Sequence, residues 1–170
     1  FAHGLMWCVP RSFEGRRPLW LAIAAGVAVW SAACQFPAFM ADMPLRIELF
    51  SLIAGIYTVL AAAEYWRASD RTLTLRWPAI ALLGIHATLI AVRGILADTM
   101  PMPEEFTGAA SLWLVAGIAA MLAHNVGMAF IVLAMTKERI AIAHRLEARS
   151  DPLTGVANRR AFYDYGRSLL

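Results

Sequence analysis

The stretch PLWLAIAAGVAVWSAACQFPAFMA, residues 18–41, contains no charged residue. It also lacks the polar face at helical spacing that an amphipathic helix of a soluble bundle requires. About 20 mostly apolar residues suffice to cross the hydrocarbon core of a bilayer, and this run is longer. Three similar runs follow it. Residues 47–66 are charged only at Glu48 and Glu64, near the two ends, and residues 77–97 carry the single charge of Arg93. Residues 106–136 carry none. Four membrane-spanning helices are therefore expected, at about 18–40, 47–66, 77–97 and 108–136. The composition agrees: 60% of residues are hydrophobic and 16% charged, against about 45–50% and about 25% in soluble domains.

The lysines and arginines orient these spans. Arg11, Arg16 and Arg17 precede the first, and Arg67, Arg71 and Arg76 lie between the second and third. Lys137, Arg139, Arg145, Arg149, Arg159, Arg160 and Arg167 follow the fourth. The two intervening loops hold only Arg46, with Asp42, Asp98, Glu104 and Glu105. Cytoplasmic loops carry the excess of Lys and Arg, so the basic segments are expected in the cytoplasm. Both opposite loops are too short for a folded extracellular domain. The apolar Phe1–Pro10 has two readings, the inner end of an earlier span that is cut away or a segment along the interface; ten residues do not span. Cys8 and Cys34 form no CxxC motif and read as packing thiols.

Ionisable and polar residues inside spans are rare and mark partners or functional sites. Arg93 lies near the outer end of the third span and Glu48 near the outer start of the second, so a Glu48–Arg93 pair is expected. His86, His124 and Asn125 fall near the middle of the third and fourth spans. They are read as interhelical hydrogen-bonding groups buried in the bundle, with a sensing pocket as the functional reading. Two histidines without a carboxylate or cysteine are a poor set for a haem or metal ion.

Residues 137–150 contain neither glycine nor proline, so the fourth span is expected to continue as a helix beyond the membrane. Positions 135, 139, 142, 146, 149 and 153 follow coiled-coil spacing over fewer than three heptads. A coiled-coil seam and a simple amphipathic helix both fit. Pro152 ends that helix, Thr154-Gly155 reads as a turn, and Asn158 as the N-cap of a further helix with Ala161, Phe162, Tyr165 and Leu169 on one apolar face. Nothing in the remaining residues covers that face.

The segment DPLTGVANRRAF, residues 151–162, resembles the opening of a GGDEF domain, the catalytic module of bacterial diguanylate cyclases. The family pattern there is D-x-L-T-G-(L/V)-x-N-R-R-x-F, and Asp151, Leu153, Thr154, Gly155, Asn158, Arg159, Arg160 and Phe162 fill its fixed positions. The resemblance implies a parent enzyme that condenses two GTP, each held with Mg²⁺, into cyclic di-GMP between two facing domains. The family's metal-binding aspartate, guanine contacts and GGDEF or GGEEF hairpin have no counterpart in this sequence. No catalytic, cofactor or metal residue is therefore carried over, and the matching residues are expected to form a hinge between the incoming helix and the catalytic domain.

The expected fold is all-α: a multi-span bundle followed by a cytoplasmic signalling helix and the first helix of a truncated α/β GGDEF domain. Its parts are residues 1–17 as an N-terminal segment, 18–136 as a four-span sensor, 137–150 as the signalling helix and 151–170 as the start of the GGDEF domain. The expected setting is the bacterial inner membrane. The expected partners are the lipid bilayer and a second copy through the signalling helix, with no nucleic acid. A receptor with a degenerate GGDEF domain and a transporter-like bundle are the competing readings; the second leaves Asp151–Phe162 unexplained.

Overall fold

The computed structural model describes residues 1–68, 73–99, 109–148 and 158. The described residues fold into six helices: α1 (Ala2–Phe13), α2 (Trp20–Ala33), α3 (Pro37–Ala41), α4 (Met43–Arg67), α5 (Arg76–Ile95) and α6 (Ala109–Glu147). Three of these, α4, α5 and the stretch Leu114–Arg145 of α6, are long and apolar enough to cross a membrane. The chain divides into two compact units, Phe1–Ile131 and Val132–Leu170.

The first apolar run does not form one helix. It gives the 14-residue α2, about 21 Å at 1.5 Å per residue, then a turn, then the five-residue α3. Pro37 is the cause. Helical geometry is disfavoured for the residue before a proline, and Phe36 is extended, with φ −95° and ψ 116°. The amides of Gln35 and Phe36 donate instead to the carbonyls of Ala32 and Ala33 in a tightened last turn. The expected span at 18–40 is thus a short apolar helix followed by a break.

α4 starts cleanly. The Asp42 side chain accepts a hydrogen bond from the Leu45 amide at 2.9 Å, satisfying one orphan donor of the first turn. Pro44 stands where the helix has no use for an amide hydrogen. Two threonine hydroxyls find acceptors within their own helices: buried Thr58 donates to the Ala54 carbonyl at 2.8 Å, and exposed Thr88 to that of Gly84 at 2.9 Å.

α4 is the centre of the first unit. α5 runs antiparallel to it. Ser51 faces Gly94 at one end of the contact, and Trp66 meets Trp77 edge to face at the other, with ring centroids 5.4 Å apart. α1 runs along α4 in the same direction, since His3 meets Phe50, Trp7 meets Tyr57 and Arg11 meets Glu64. The apolar segment Phe1–Pro10 is thus part of a helix packed against the bundle. α2 returns antiparallel on the other side of α1 and α4. Gly4 lies so close to α2 that a Cβ there would fall 2.9 Å from Cγ2 of Ile23. Close approach of this kind is what small residues permit between apolar helices. Cys8 and Cys34 are both free thiols.

α6 extends unbroken from the fourth apolar run to Glu147. Of the positions with coiled-coil spacing, Met135 is buried, Ile142 half-buried and Arg139 exposed. Arg149, Leu153 and all the residues expected to form a hinge except Asn158 lie outside the described residues.

Candidate functional site

Three histidines from three helices are stacked within the first unit. His86 of α5 and His124 of α6 lie face to face, with centroids 3.8 Å apart and planes 7° from parallel. His3 of α1 continues the series at 6.2 Å from His86, 8° from parallel. His86 and His124 are 8% and 3% exposed, so both imidazoles point inward. Gly127 lets α6 come this near: a Cβ there would fall 3.0 Å from Cδ2 of Leu82, one turn from His86.

Each neutral imidazole offers one donor and one acceptor, yet neither nitrogen of His124 has a hydrogen-bond partner among the described residues. A buried polar group in this state calls for a specific explanation. Parallel stacking sets the in-plane lone pairs side by side and does not converge them on one point. Among the described residues no group of three or more His, Cys, Asp or Glu side chains is placed to hold a metal ion. The stack therefore has unfilled hydrogen-bonding capacity and no chelating geometry. His3 escaped the sequence reading because its segment is too short to span; a polar side chain within an otherwise apolar run was the available signal.

Asn125 behaves differently. It is exposed, and its side-chain amide donates back to the Met121 carbonyl at 2.9 Å. Among the described residues it makes no interhelical hydrogen bond, because a helical position next to His124 faces another way by about 100°.

The expected Glu48–Arg93 pair does not form. The Arg93 guanidinium lies over the Phe50 ring, 5.5 Å from its centroid, a cation–π contact. Glu48 and Phe50 are two residues apart on α4 and so point about 200° apart around the helix. An arginine that reaches Phe50 is on the wrong side for Glu48. Among the described residues Glu48 has neither an ion-pair nor a hydrogen-bond partner.

The ion cluster that does form is at the other end of α4. Glu64 is 6% exposed; its two oxygens receive Arg11 at 2.5 Å and Arg16 at 2.8 Å. The chain returns Arg16 to this point through the end of α1. Gly15 adopts a left-handed φ of +70°, its amide donates to the Ser12 carbonyl, and the Arg16 amide donates to that of Arg11. This is the Schellman arrangement that favours glycine after a helix. Arg11 also donates to the Arg17 carbonyl and lies over the Trp7 ring, 5.3 Å from its centroid. In the sequence Glu64 reads only as a charge near a span end; its partners lie 53 and 48 positions earlier.

Of the residues expected to form a hinge, Asn158 is described. Its side-chain amide donates to the carbonyl of Ala148 at 2.6 Å. It thus satisfies one of the orphan carbonyls beyond the last turn of α6, a bond made backwards to the preceding helix. Asp151, Leu153, Thr154, Gly155, Arg159, Arg160 and Phe162 lie outside the described residues.

No family model matches the chain, and no curated protein or solved structure matches it significantly.

Proposed function

We propose that this chain is the membrane-sensing and transmitting part of a diguanylate cyclase, an enzyme that condenses two GTP into cyclic di-GMP. The observation that carries the reading is the segment Asp151–Phe162, which fills every fixed position of the GGDEF-domain opening. Two features support it. α6 passes without a break from its apolar stretch into the charged segment that leads to the motif, as a transmitting helix needs. Asn158, a fixed position of the motif, bonds back to the end of the same helix.

On this reading the arginine-bearing ends of the bundle and the motif face the cytoplasm of a bacterial cell, where GTP is, and the chain sits in the inner membrane. Two copies pair through the continuation of α6 so that their cyclase domains meet. The residues that hold Mg²⁺ and GTP in the family are not in this sequence, and no residue here is assigned to them. The chain by itself is expected to form no cyclic di-GMP from GTP.

The test is a chimera. Residues 1–170 are joined, at the matching motif, to the catalytic body of an active diguanylate cyclase, and cyclic di-GMP is measured in cells. Inserting one residue within 137–147 turns the downstream helix by about 100°, and seven residues restore its phase to within about 20°. Product that falls with one inserted residue and recovers with seven supports the reading. Product indifferent to the insertions, or absent in every register, removes it.

A further inference from the structure

A groove of about 680 Å³ runs along the α4–α5 contact. Its α4 wall includes Glu48, Ser51, Gly55 and Val59, and its α5 wall Ala87 and Gly94. It extends as far as Leu60, so from Glu48 it follows α4 for about 18 Å at 1.5 Å per residue, slightly more than half of the roughly 30 Å hydrocarbon thickness. Small residues shape it. Gly94 lets Ser51 approach until a Cβ on residue 94 would lie 3.0 Å from that of Ser51. Gly55 leaves open space, since a Cβ there meets only Cγ2 of Ile90, at an ordinary 3.8 Å.

Two polar groups mark one end. Ser51 is 5% exposed, and its hydroxyl has no hydrogen-bond partner among the described residues, although helix hydroxyls in apolar surroundings normally bond back to a carbonyl. One turn away, the Glu48 carboxylate is exposed and unpaired among the described residues. An unpaired carboxylate beside hydrocarbon is costly and calls for a cation. The only arginine of α5 at this level, Arg93, is engaged with Phe50.

We propose that the groove binds a cationic amphiphile. Its ammonium or guanidinium head pairs with Glu48 over the Ser51 hydroxyl, and its hydrocarbon tail lies between α4 and α5 toward Leu60. Charge selects this occupant over an apolar helix of a second copy: the outer apolar half of α6, Ala109–Met121, has no cation to offer Glu48. The proposal does not depend on the diguanylate cyclase reading; if both hold, such an amphiphile is an input to the sensor.

The test uses the full chain in phosphatidylcholine nanodiscs and three probes with the same photoactivatable tail: a long-chain alkylammonium, the matching alcohol and the matching carboxylate. The ammonium probe is expected to label residues 52–60 and 87–95 in preference to the other two. Glu48→Gln, at an exposed position, is expected to weaken that labelling about fivefold or more. Gly55→Leu fills the groove and should abolish it. Equal labelling by the three probes, or full labelling of E48Q, overturns the proposal. So does disulfide capture of a second copy through Gly55→Cys, which would make the groove a helix interface.

Discussion

Tyr57 closes over Gly26: a Cβ on residue 26 would lie 2.8 Å from Cε2 of Tyr57 and 2.9 Å from Cγ2 of Ile53. The Tyr57 hydroxyl donates to the Ala22 carbonyl at 2.6 Å and accepts from the Gly26 amide at 3.0 Å. One side chain thus both ties α2 to α4 and sets how near they come. Gly26→Ala is expected to destabilise the bundle by about 1–3 kcal/mol through overpacking. Tyr57→Phe should cost about 1 kcal/mol from the lost hydrogen bonds. Gly84→Ala is the control, since a Cβ there meets nothing within 4 Å. Thermal unfolding in detergent distinguishes the three.

Glu64 is held by two arginines, one of them positioned by a left-handed glycine. Glu64→Gln leaves Arg11, 15% exposed, without its counter-charge. Breaking a fully buried pair costs about 3–5 kcal/mol; the greater exposure of Arg16 reduces the expectation here to about 2–3 kcal/mol. Gly15→Ala should cost about 1–2 kcal/mol, because φ +70° is unfavourable for alanine. In Gly15→Ala the Arg16–Glu64 bond weakens, so a further Arg16→Ala should add little. A double-mutant cycle by thermal unfolding gives this coupling.

The two nitrogens of His124 have no hydrogen-bond partner among the described residues. Replacing the ring by an apolar side chain of similar size removes an unsatisfied group. His124→Leu should leave stability unchanged or raise it by about 1 kcal/mol. His86→Leu, which removes the middle ring of the stack, should cost more than His124→Leu. A marked loss of stability in His124→Leu would contradict this expectation.

Asn158 acts as a donor to Ala148. A carboxylate has no donor, so Asn158→Asp should be as damaging as Asn158→Ala, at about 1 kcal/mol each. Hydrogen exchange at the end of α6, over residues 144–148, should be faster in both variants. Exchange that is unchanged in Asn158→Asp would remove the bond.

The long apolar helices were legible because hydropathy is a property of a run: α4, α5 and the first part of α6 hold the later charge-free or nearly charge-free stretches. The break at Phe36 was not, although Pro37 announced it, because a long apolar run reads as continuous while the backbone obeys the local rule at one dipeptide. The partners of Glu64 and Arg93 were not legible either. Depth along a span predicts which residues are level, but azimuth around the helix decides which of them meet. Arg93 was paired by depth with Glu48 and found Phe50 instead. The inward placement of His86 and His124 followed from their polarity, whereas their stacking depended on the close approach at Gly127.

The edge-to-face pair Trp66–Trp77 has a use beyond packing. Two indoles 5.4 Å apart and 89° between planes couple their electronic transitions, and the coupling changes steeply with separation and angle. They sit at the junction of α4 and α5, so any ligand that spreads or turns these helices alters the near-ultraviolet circular dichroism of the pair. The protein thus has a native spectroscopic gauge at the end of the bundle, readable without label or substitution, and Trp66→Phe would identify its contribution.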